Sequence, residues 1–565
     1  MAGRCKNHPL GVTWPSEADW LSLNASIGGH LLRTVPVAAS CWPNSTFESH
    51  ISCNTVQSQW TNSLWHASQP DSIDYPIYAN NSCLPPNVTG YVHDRDCTTG
   101  GLPAYIVNAT TETQIATAMK WAADRNIRIV IKGTGHDLNG RSSGAFALSI
   151  WTHHLRKLQR DISWKHPTKN TTEDVYIIGS GQQWGNVLEY ALAEGRVVTT
   201  GQDPSVGLGG YIQGGGHGPL SQTYGLAASH VLQMRVVTTQ GEILVVNHAQ
   251  HQDLFWALRG GGPGLYGVVT EYVLRHHPAP SNVTMGNLLI APGADRNNIS
   301  AEKSWEAAVS YLQALPDLMD AGLAGACMMS TGEAAVRFAS LSEATTGVVI
   351  SQVFWSFNST SSAMEALVRP VLTRIGREST TDSGSSAVTI TFSTSNVANY
   401  TSFISAISGS SAAGSQSVIS SRLLGRRELL DTARTDMTSY LKTALQAQNA
   451  TVGTFATIGL QGGPGVQQTP PGDWGSPKRA LQDAARWYEA KEHMWQLWAP
   501  ESGAYMNEAN PFDPEFKHDF YGANYDRLLQ VKAKYDPTES LFVLAGVGSD
   551  RWDYDLDSGR LCRVN

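Results

Sequence analysis

Glycine is clustered in this chain, and the clusters constrain the fold more than any other feature. Seven of the twelve residues from Gly207 to Gly218 are glycine. Two further glycine-rich stretches run from Gly133 to Gly144 and from Gly260 to Gly267. Glycine has no Cβ, so its backbone N–H groups can approach a ligand in conformations that other residues avoid. Successive N–H groups in such a loop make a nest for an anion. Three such segments imply one of two things: tight turns in a β-rich domain, or backbone laid along a large phosphate-bearing cofactor.

Three literal motif matches fail on context. Gly262-Pro263-Gly264-Leu265-Tyr266-Gly267 spells G-x-G-x-x-G. A dinucleotide fingerprint must follow a strand and open a helix, whereas here a strand follows and a proline sits inside. Gly140-Arg141-Ser142-Ser143-Gly144 spells G-x-S-x-G. A nucleophile elbow needs a strand running straight into the serine, and this string lies inside a glycine-rich loop. His248-x-x-His251 and the His153-His154 pair lack acidic or Cys companions at a metal spacing, so no metal site is expected.

The surrounding pattern reads as α+β. Thr111-x-x-Gln114 is a capping box, and Ile115, Ala118, Met119 and Ala122 follow at helical spacing until Asn126. Residues 127–131 alternate as a strand that turns out at Lys132-Gly133-Thr134-Gly135-His136. Strands are predicted over 175–178, 231–238 and 267–273, and helices over 184–193 and 254–259. Beyond about residue 278 come longer amphipathic helices, predicted over 301–314, 361–375 and 428–446, with Ser/Thr-rich strands such as 388–392 between them. Residues 408–421 read as a loop. Tyr521 to Phe542 reads as a helix and then extended chain. Trp487, Trp495 and Trp498 lie close together, and the i,i+3 pair Trp495/Trp498 favours core packing over a sugar-stacking platform.

Composition sets the compartment and the partners. The 565 residues are 41% hydrophobic and 16% charged, which suits a buried core rather than a disordered chain. The net charge of −8, without any Lys/Arg-rich run, argues against a nucleic-acid partner. No apolar stretch approaches the ~18 residues of a membrane helix. Eleven Asn-x-Ser/Thr sequons occur, at Asn24, Asn44, Asn80, Asn87, Asn108, Asn170, Asn282, Asn298, Asn358, Asn399 and Asn449. Sequons carry N-linked glycans only in the secretory pathway. Cys5, Cys41, Cys53, Cys83 and Cys97 crowd the first hundred residues, which fits disulfides stapling an irregular lead-in. Five is odd, so one stays free or pairs with Cys327 or Cys562. A secreted glycoprotein whose signal peptide has been removed is expected, and a monomer.

The string Ile131-Lys132-Gly133-Thr134-Gly135-His136-Asp137-Leu138-Asn139-Gly140-Arg141-Ser142-Ser143-Gly144 follows a predicted strand and surrounds one histidine with glycine. It resembles the FAD-binding region of the vanillyl-alcohol oxidase superfamily, and within it the berberine-bridge-enzyme-like oxidases. The strings Gly201-Gln202-Asp203-Pro204-Ser205-Val206-Gly207 through Gly218, and Arg259 through Val269, also fit. So do Tyr505-Met506-Asn507-Glu508 and Asn524-Tyr525-x-Arg527 through Tyr535-Asp536-Pro537. Order and spacing agree over about 105–275 and 500–545. The chain is most similar to the secreted fungal branch labelled isoamyl alcohol oxidase-like.

The resemblance implies an α+β, two-domain PCMH-type FAD-binding fold with an antiparallel-sheet substrate domain. Residues 1–100 would form the lead-in of the FAD domain and 101–278 its body. Residues 279–503 would form the substrate domain, and 504–565 would return to the FAD domain. His136 takes the position that carries FAD through the flavin's 8α-methyl, an imidazole nitrogen being a competent nucleophile there. Lys132, Gly133, Thr134, Gly135, Asp137 and Ser142 would cradle the cofactor, with the 133–135 backbone and Ser142 on its pyrophosphate. Val206, Gly207, Gly209, Gly210, Gly214, Gly267, Val268 and Asn507 would complete the binding set. Many relatives have a cysteine at the position of Asp203 that makes a second flavin bond; aspartate cannot, so a single link is expected. Valine at position 206 goes with oxidases.

The implied chemistry is oxidation of a C–H/C–OH group of a small molecule by hydride transfer to FAD. O₂ is the acceptor and H₂O₂ the product. Glu508 stands where relatives place the tyrosine that acts as base. Tyr505 is the second candidate, and Asn507 would orient a neighbour or the flavin. The alternatives are a flavin dehydrogenase, a secondary-metabolite oxidase with another acceptor, and a flavin-loaded binding protein without catalysis.

Overall fold

The computed structural model describes residues 5–79, 83–86, 88, 91, 96–293, 298–382, 384–409, 413–414, 419–447, 452–460, 462 and 482–564. The fold is α+β. Of the first group of strands, β1 (Leu31–Arg33), β2 (Tyr105–Asn108), β3 (Ile129–Lys132) and β4 (Leu148–Trp151) form one sheet in the order β1-β2-β4-β3. β4 runs parallel to both β2 and β3. The helix Glu112–Asp124 connects β2 to β3. The Thr111 hydroxyl accepts the Gln114 N–H, and the Gln114 side chain accepts the Thr111 N–H, closing the predicted box. Ile115, Ala118, Met119 and Ala122 are fully buried against this sheet. The helix therefore fixes where β3 ends, and so where the chain leaves it as Gly133-Thr134-Gly135-His136.

Along the chain follow β5 (Leu158–Lys165), β6 (Thr172–Gly179), β7 (Arg196–Val197), β8 (Val231–Val237), β9 (Ile243–Asn247), β10 (Val268–Arg275) and β11 (His277–Pro278). Five of these make an antiparallel sheet in the order β5-β6-β10-β8-β9, and β7 pairs with β11. Tyr176, Trp184, Met234 and Tyr272 of this region share one core with Met506, Phe520, Tyr521 and Leu528. Lys532 is buried, and its ammonium donates to the Leu265 and Leu541 carbonyls and to Asp536. Asp536 in turn accepts the Ser540 and Leu541 N–H groups. The Lys532-x-x-Tyr535-Asp536 part of the sequence motif thus ties the helix Tyr525–Tyr535 to the third glycine segment and to the chain that follows it.

The third sheet comprises β12 (Val283–Pro292), β13 (Ala324–Thr331), β14 (Thr345–Phe357), β15 (Val388–Val397) and β16 (Phe455–Leu460). Its order is β15-β12-β14-β13-β16, antiparallel throughout. One face buries Leu288, Ile290 and Phe354 under the helices Asn298–Asp320 and Ser361–Glu378. On the other face Met285 and Trp355 pack with Leu188, Val197 and Leu220. Further along that face β12 and β15 present Asn287 opposite Ser393, and Leu289 opposite Thr391, with Asn287, Thr391 and Ser393 exposed. β17 (Trp552–Tyr554) pairs with β18 (Leu561–Arg563).

Disulfides join Cys5 to Cys562, Cys41 to Cys53 and Cys83 to Cys97, and Cys327 is a buried free thiol. The lead-in is less irregular than its sequence suggests. It holds helices at Glu17–Ser26, Cys53–Gln59 and Ser63–Ser68, and β1 pairs with β2. The first of these helices escapes a periodicity search because only Trp20 and Leu23 are buried along it; its capping box uses Ser16 and Asp19. The helix expected over 428–446 is two helices, Arg426–Leu430 and Arg434–Ala444. The Trp498 indole takes the Glu428 carbonyl that a continuous helix would need. Trp498 is buried and Trp495 stacks beside it, so the pair is core; the Trp487 side chain lies outside the described residues. Parts of the 408–421 loop also lie outside them. Among the described residues no helix is long and apolar enough to cross a membrane.

Candidate active site

The three glycine segments meet around one cavity of about 340 Å³. Gly133, Thr134, Gly135, His136, Asp137 and Ser142 line it from the loop after β3. Asp203, Val206, Gly207, Gly209 and Gly210 line it from the second segment, and Tyr505, Asn507 and Glu508 from the C-terminal stretch of the chain. The third segment contributes Pro263 and Gly264, with Val269 following.

A polar chain locks these pieces together. The Asp137 carboxylate accepts the Asn139 and Arg141 N–H groups and the Arg141 guanidinium, which turns the loop tightly after His136. Arg141 Nη2 also donates to Asn507 Oδ1 at 2.8 Å. Asn507 Nδ2 donates to the Tyr505 hydroxyl at 2.8 Å and to the Gly210 carbonyl at 3.2 Å. Asn507 therefore ties the C-terminal stretch to the loop after β3 and to the second glycine segment. It fits only because Gly214 has no side chain: a Cβ there would stand 2.3 Å from Asn507 Nδ2.

Two histidines face carboxylates in this cavity. His136 Nε2 lies 3.3 Å from Asp203 Oδ2 and 3.9 Å from Asp74 Oδ2. Burial pulls the His136 pKa down, but the Asp203 hydrogen bond and the charges of Asp74 and Asp203 outweigh it and hold the ring above its ordinary value. His217 Nε2 lies 3.3 Å from Glu508 Oε1. Its placement depends on Gly216, whose φ is +72° and whose Cβ would press into the Tyr211 ring at 2.5 Å. The Tyr211 hydroxyl donates to the His217 carbonyl, and the Tyr505 ring meets the His217 imidazole edge-on. Half of the Glu508 side chain is exposed, toward the cavity it lines. Surrounding protein works against its charge, yet His217 outweighs this and holds its carboxyl below the ordinary value. Burial pushes the Tyr505 hydroxyl well up, so it stays protonated.

A model described as FAD binding domain matches residues 103–247, and one described as berberine and berberine like matches residues 504–542. The FAD-linked oxidoreductase ZEB1 of Gibberella zeae is 32% identical, over 99% of this chain and 95% of its own. The VAO-type flavoprotein oxidase VAO615 of Thermothelomyces thermophilus is 31% identical, over 99% and 95%. The chain belongs to the VAO-type family of FAD-linked oxidoreductases. The VAO-type flavoprotein MtVAO713 from Myceliophthora thermophila C1 has the same fold, with a TM-score of 0.81, 30% identity and coverage of 99% of this chain and 100% of that one. Glucooligosaccharide oxidase from Acremonium strictum, described with a 6-S-cysteinyl, 8α-N1-histidyl FAD, shares the fold at a TM-score of 0.61 and 18% identity, over 79% and 92%.

The residues of this FAD-dependent oxidoreductase fit the cofactor. A Cβ at Gly210 would meet nothing within 4 Å, and one at Gly133 would meet only Thr152 Oγ1 at 3.9 Å. Both backbones therefore face open cavity, which is the access a flavin dinucleotide needs.

Four residues of the expected binding set do not line the cavity. Lys132 turns its ammonium back to the His66 and Gln69 carbonyls, the last residue of β3 pointing away from the loop that follows. Gly214 makes room for Asn507 instead. Gly267, at φ +149°, sits where a Cβ would stand 2.7 Å from the Val237 carbonyl oxygen. Val268 is fully buried beside Val237 in the core under the Glu112–Asp124 helix. Conversely, Arg141 and His217 line the cavity without having been singled out. Both stand inside the glycine strings, and a charged residue held between glycines was the available signal.

Proposed function

We propose that the protein is a secreted oxidase in which His136 carries FAD through a single covalent link and Glu508 is the catalytic base. The observation that carries this reading is that His136 and Glu508 open onto the same glycine-walled cavity. The histidyl linkage of the glucooligosaccharide oxidase supports the tether. Asp203 stands beside His136 where a cysteine would make the second link, and its carboxylate makes an ion pair instead. FAD bound here would supply a hydride acceptor that dioxygen can reoxidise.

The protein's own groups do the rest. Glu508 takes the proton of a substrate hydroxyl as the carbon-bound hydrogen leaves; the depressed pKa keeps it ionised for this at neutral pH. His217 holds the carboxylate in place and receives part of the charge change. Tyr505 is protonated and serves as a hydrogen-bond donor at the same wall, oriented by Asn507. Val206 lines the cavity as a small aliphatic side chain, consistent with access for dioxygen. The exposed Asn287, Thr391 and Ser393 of the third sheet offer neutral hydroxyl and amide groups to a substrate. The division into a FAD domain, 1–278 with 504–565, and a substrate domain, 279–503, belongs to this reading. The three disulfides and the exposed sequon residues Asn44, Asn170, Asn282, Asn298, Asn358 and Asn399 support secretion and glycosylation.

The test is to reduce the flavin anaerobically, mix it with air-saturated buffer, and follow reoxidation and peroxide. Rapid reoxidation with one peroxide per flavin is expected. Slow reoxidation by air together with fast reoxidation by a quinone identifies a dehydrogenase and overturns the oxidase reading.

A further inference from the structure

Asp203 is held in one orientation. Its Oδ1 accepts the Ser205 N–H at 2.8 Å and the Ser205 hydroxyl at 2.6 Å. That leaves Oδ2 directed at His136 Nε2, at 3.3 Å. A second carboxylate, Asp74, reaches the same nitrogen at 3.9 Å from the other chain segment. Asp74 is almost completely buried; its Oδ2 accepts the Ser63 hydroxyl, and its Oδ1 is buried without a hydrogen-bond partner among the described residues. Both acids therefore address one ring nitrogen, Nε2, and among the described residues no carboxylate is paired with Nδ1.

Resting on the reading that His136 carries the flavin, we propose that Asp203, backed by Asp74, is the positioning residue for tether formation: it keeps the proton on Nε2, presents the Nδ1 lone pair, and balances the positive charge the ring gains as Nδ1 bonds to the flavin's 8α carbon. The arrangement is that of an aspartate orienting a catalytic histidine, which fixes the tautomer and stabilises the imidazolium. The step balances. Nδ1 supplies the electron pair of the new C–N bond, and one hydrogen leaves the 8α carbon as a proton. The electron pair of that C–H bond stays with the flavin and passes to dioxygen. Dioxygen takes up that proton and the Nε2 proton and leaves as hydrogen peroxide. Where relatives use this position for a second bond to the flavin, this chain uses it to build the first.

The test compares wild type, Asp203→Asn, Asp203→Glu, Asp74→Asn and Ser205→Ala after purification. Two quantities are read for each: flavin retained by the native protein, and the share of it that stays with acid-precipitated protein. Asp203→Asn is expected to bind FAD but to carry less than a tenth of it covalently. Asp203→Glu is expected to restore at least half, and Asp74→Asn and Ser205→Ala to fall between. A flavin-loaded Asp203→Asn that is as fully tethered as wild type overturns the proposal while leaving the His136 tether intact. Should Asp203→Asn not fold, full tethering of both Ser205→Ala and Asp74→Asn overturns it. Flavin released by acid from wild type itself refutes the underlying reading instead.

Discussion

Gly214→Ala isolates the contribution of Asn507 without touching it. Gly214 caps a helix at φ −86° and ψ −6°, angles alanine adopts freely, so the substitution carries no backbone penalty. The added Cβ would stand 2.3 Å from Asn507 Nδ2 and 2.7 Å from its Oδ1, so the amide must move by about 1 Å to reach ordinary contact. That displacement breaks its bonds to Tyr505, Gly210 and Arg141. Two neutral hydrogen bonds at about 1 kcal/mol each and one to a charged group at about 1.5–3 give a loss of roughly 4 kcal/mol. With an unfolding entropy of about 2.1 cal/mol/K per residue, that is a fall in melting temperature of about 3 °C for a chain unfolding as one unit. The same shift unseats Tyr505 and Arg141 at the cavity wall, and a misplacement of this size costs about 10²-fold in rate. The assay is calorimetry of the flavin-loaded protein together with the rate of flavin reduction by substrate. An unchanged melting temperature and an unchanged reduction rate would refute the role given to Asn507.

Glu508→Gln should keep its flavin and lose about 10²–10⁴-fold in the rate of flavin reduction, measured by stopped flow. Because a base acts ionised and the Glu508 pKa is depressed, the wild-type reduction rate should stay flat from neutral pH down to about pH 4.5 and fall only below it. His217→Ala removes the charge that depresses it, so the acid limb should move upward; a wild-type limb already above pH 6 contradicts the assignment. Lys532→Met leaves Asp536 buried and unpaired and should cost about 3–5 kcal/mol in urea unfolding, as breaking a buried pair does. Glu492 is raised to about 7, chiefly by burial. The unfolded chain releases this proton near pH 4.5, so stability should fall as pH rises from there to 7 and then level off. Glu492→Gln keeps an oxygen for Ser420 and Asn510 and should unfold at a higher temperature than wild type at pH 8, with the two converging at pH 4.

What the sequence made legible is what short-range chemistry encodes. The Thr111/Gln114 box, the Trp184–Ala193 helix and the strand into Gly133 depend on residues a few positions apart; the first two form where the spacing places them, and the strand forms at Ile129–Lys132, two residues later than its predicted start. His136 stood out because it follows a strand inside the glycine string on which the family resemblance rests. What escaped depends on partners far along the chain. The direction of the Lys132 side chain is set by carbonyls at residues 66 and 69, and the break after Leu430 by the indole of Trp498. His217 lies inside the second glycine string, but its pairing shows only when Glu508, some 290 residues later, arrives 3.3 Å away. The lead-in hid Asp74, which reaches His136 only through the fold.

The central claim is that the cavity carries FAD bonded to His136, and acid precipitation tests it most directly. Wild-type protein unfolded in acid should take the yellow flavin down with it, and His136→Ala should release it to the supernatant. Flavin left in the supernatant by wild type, or retained by His136→Ala, would contradict the account.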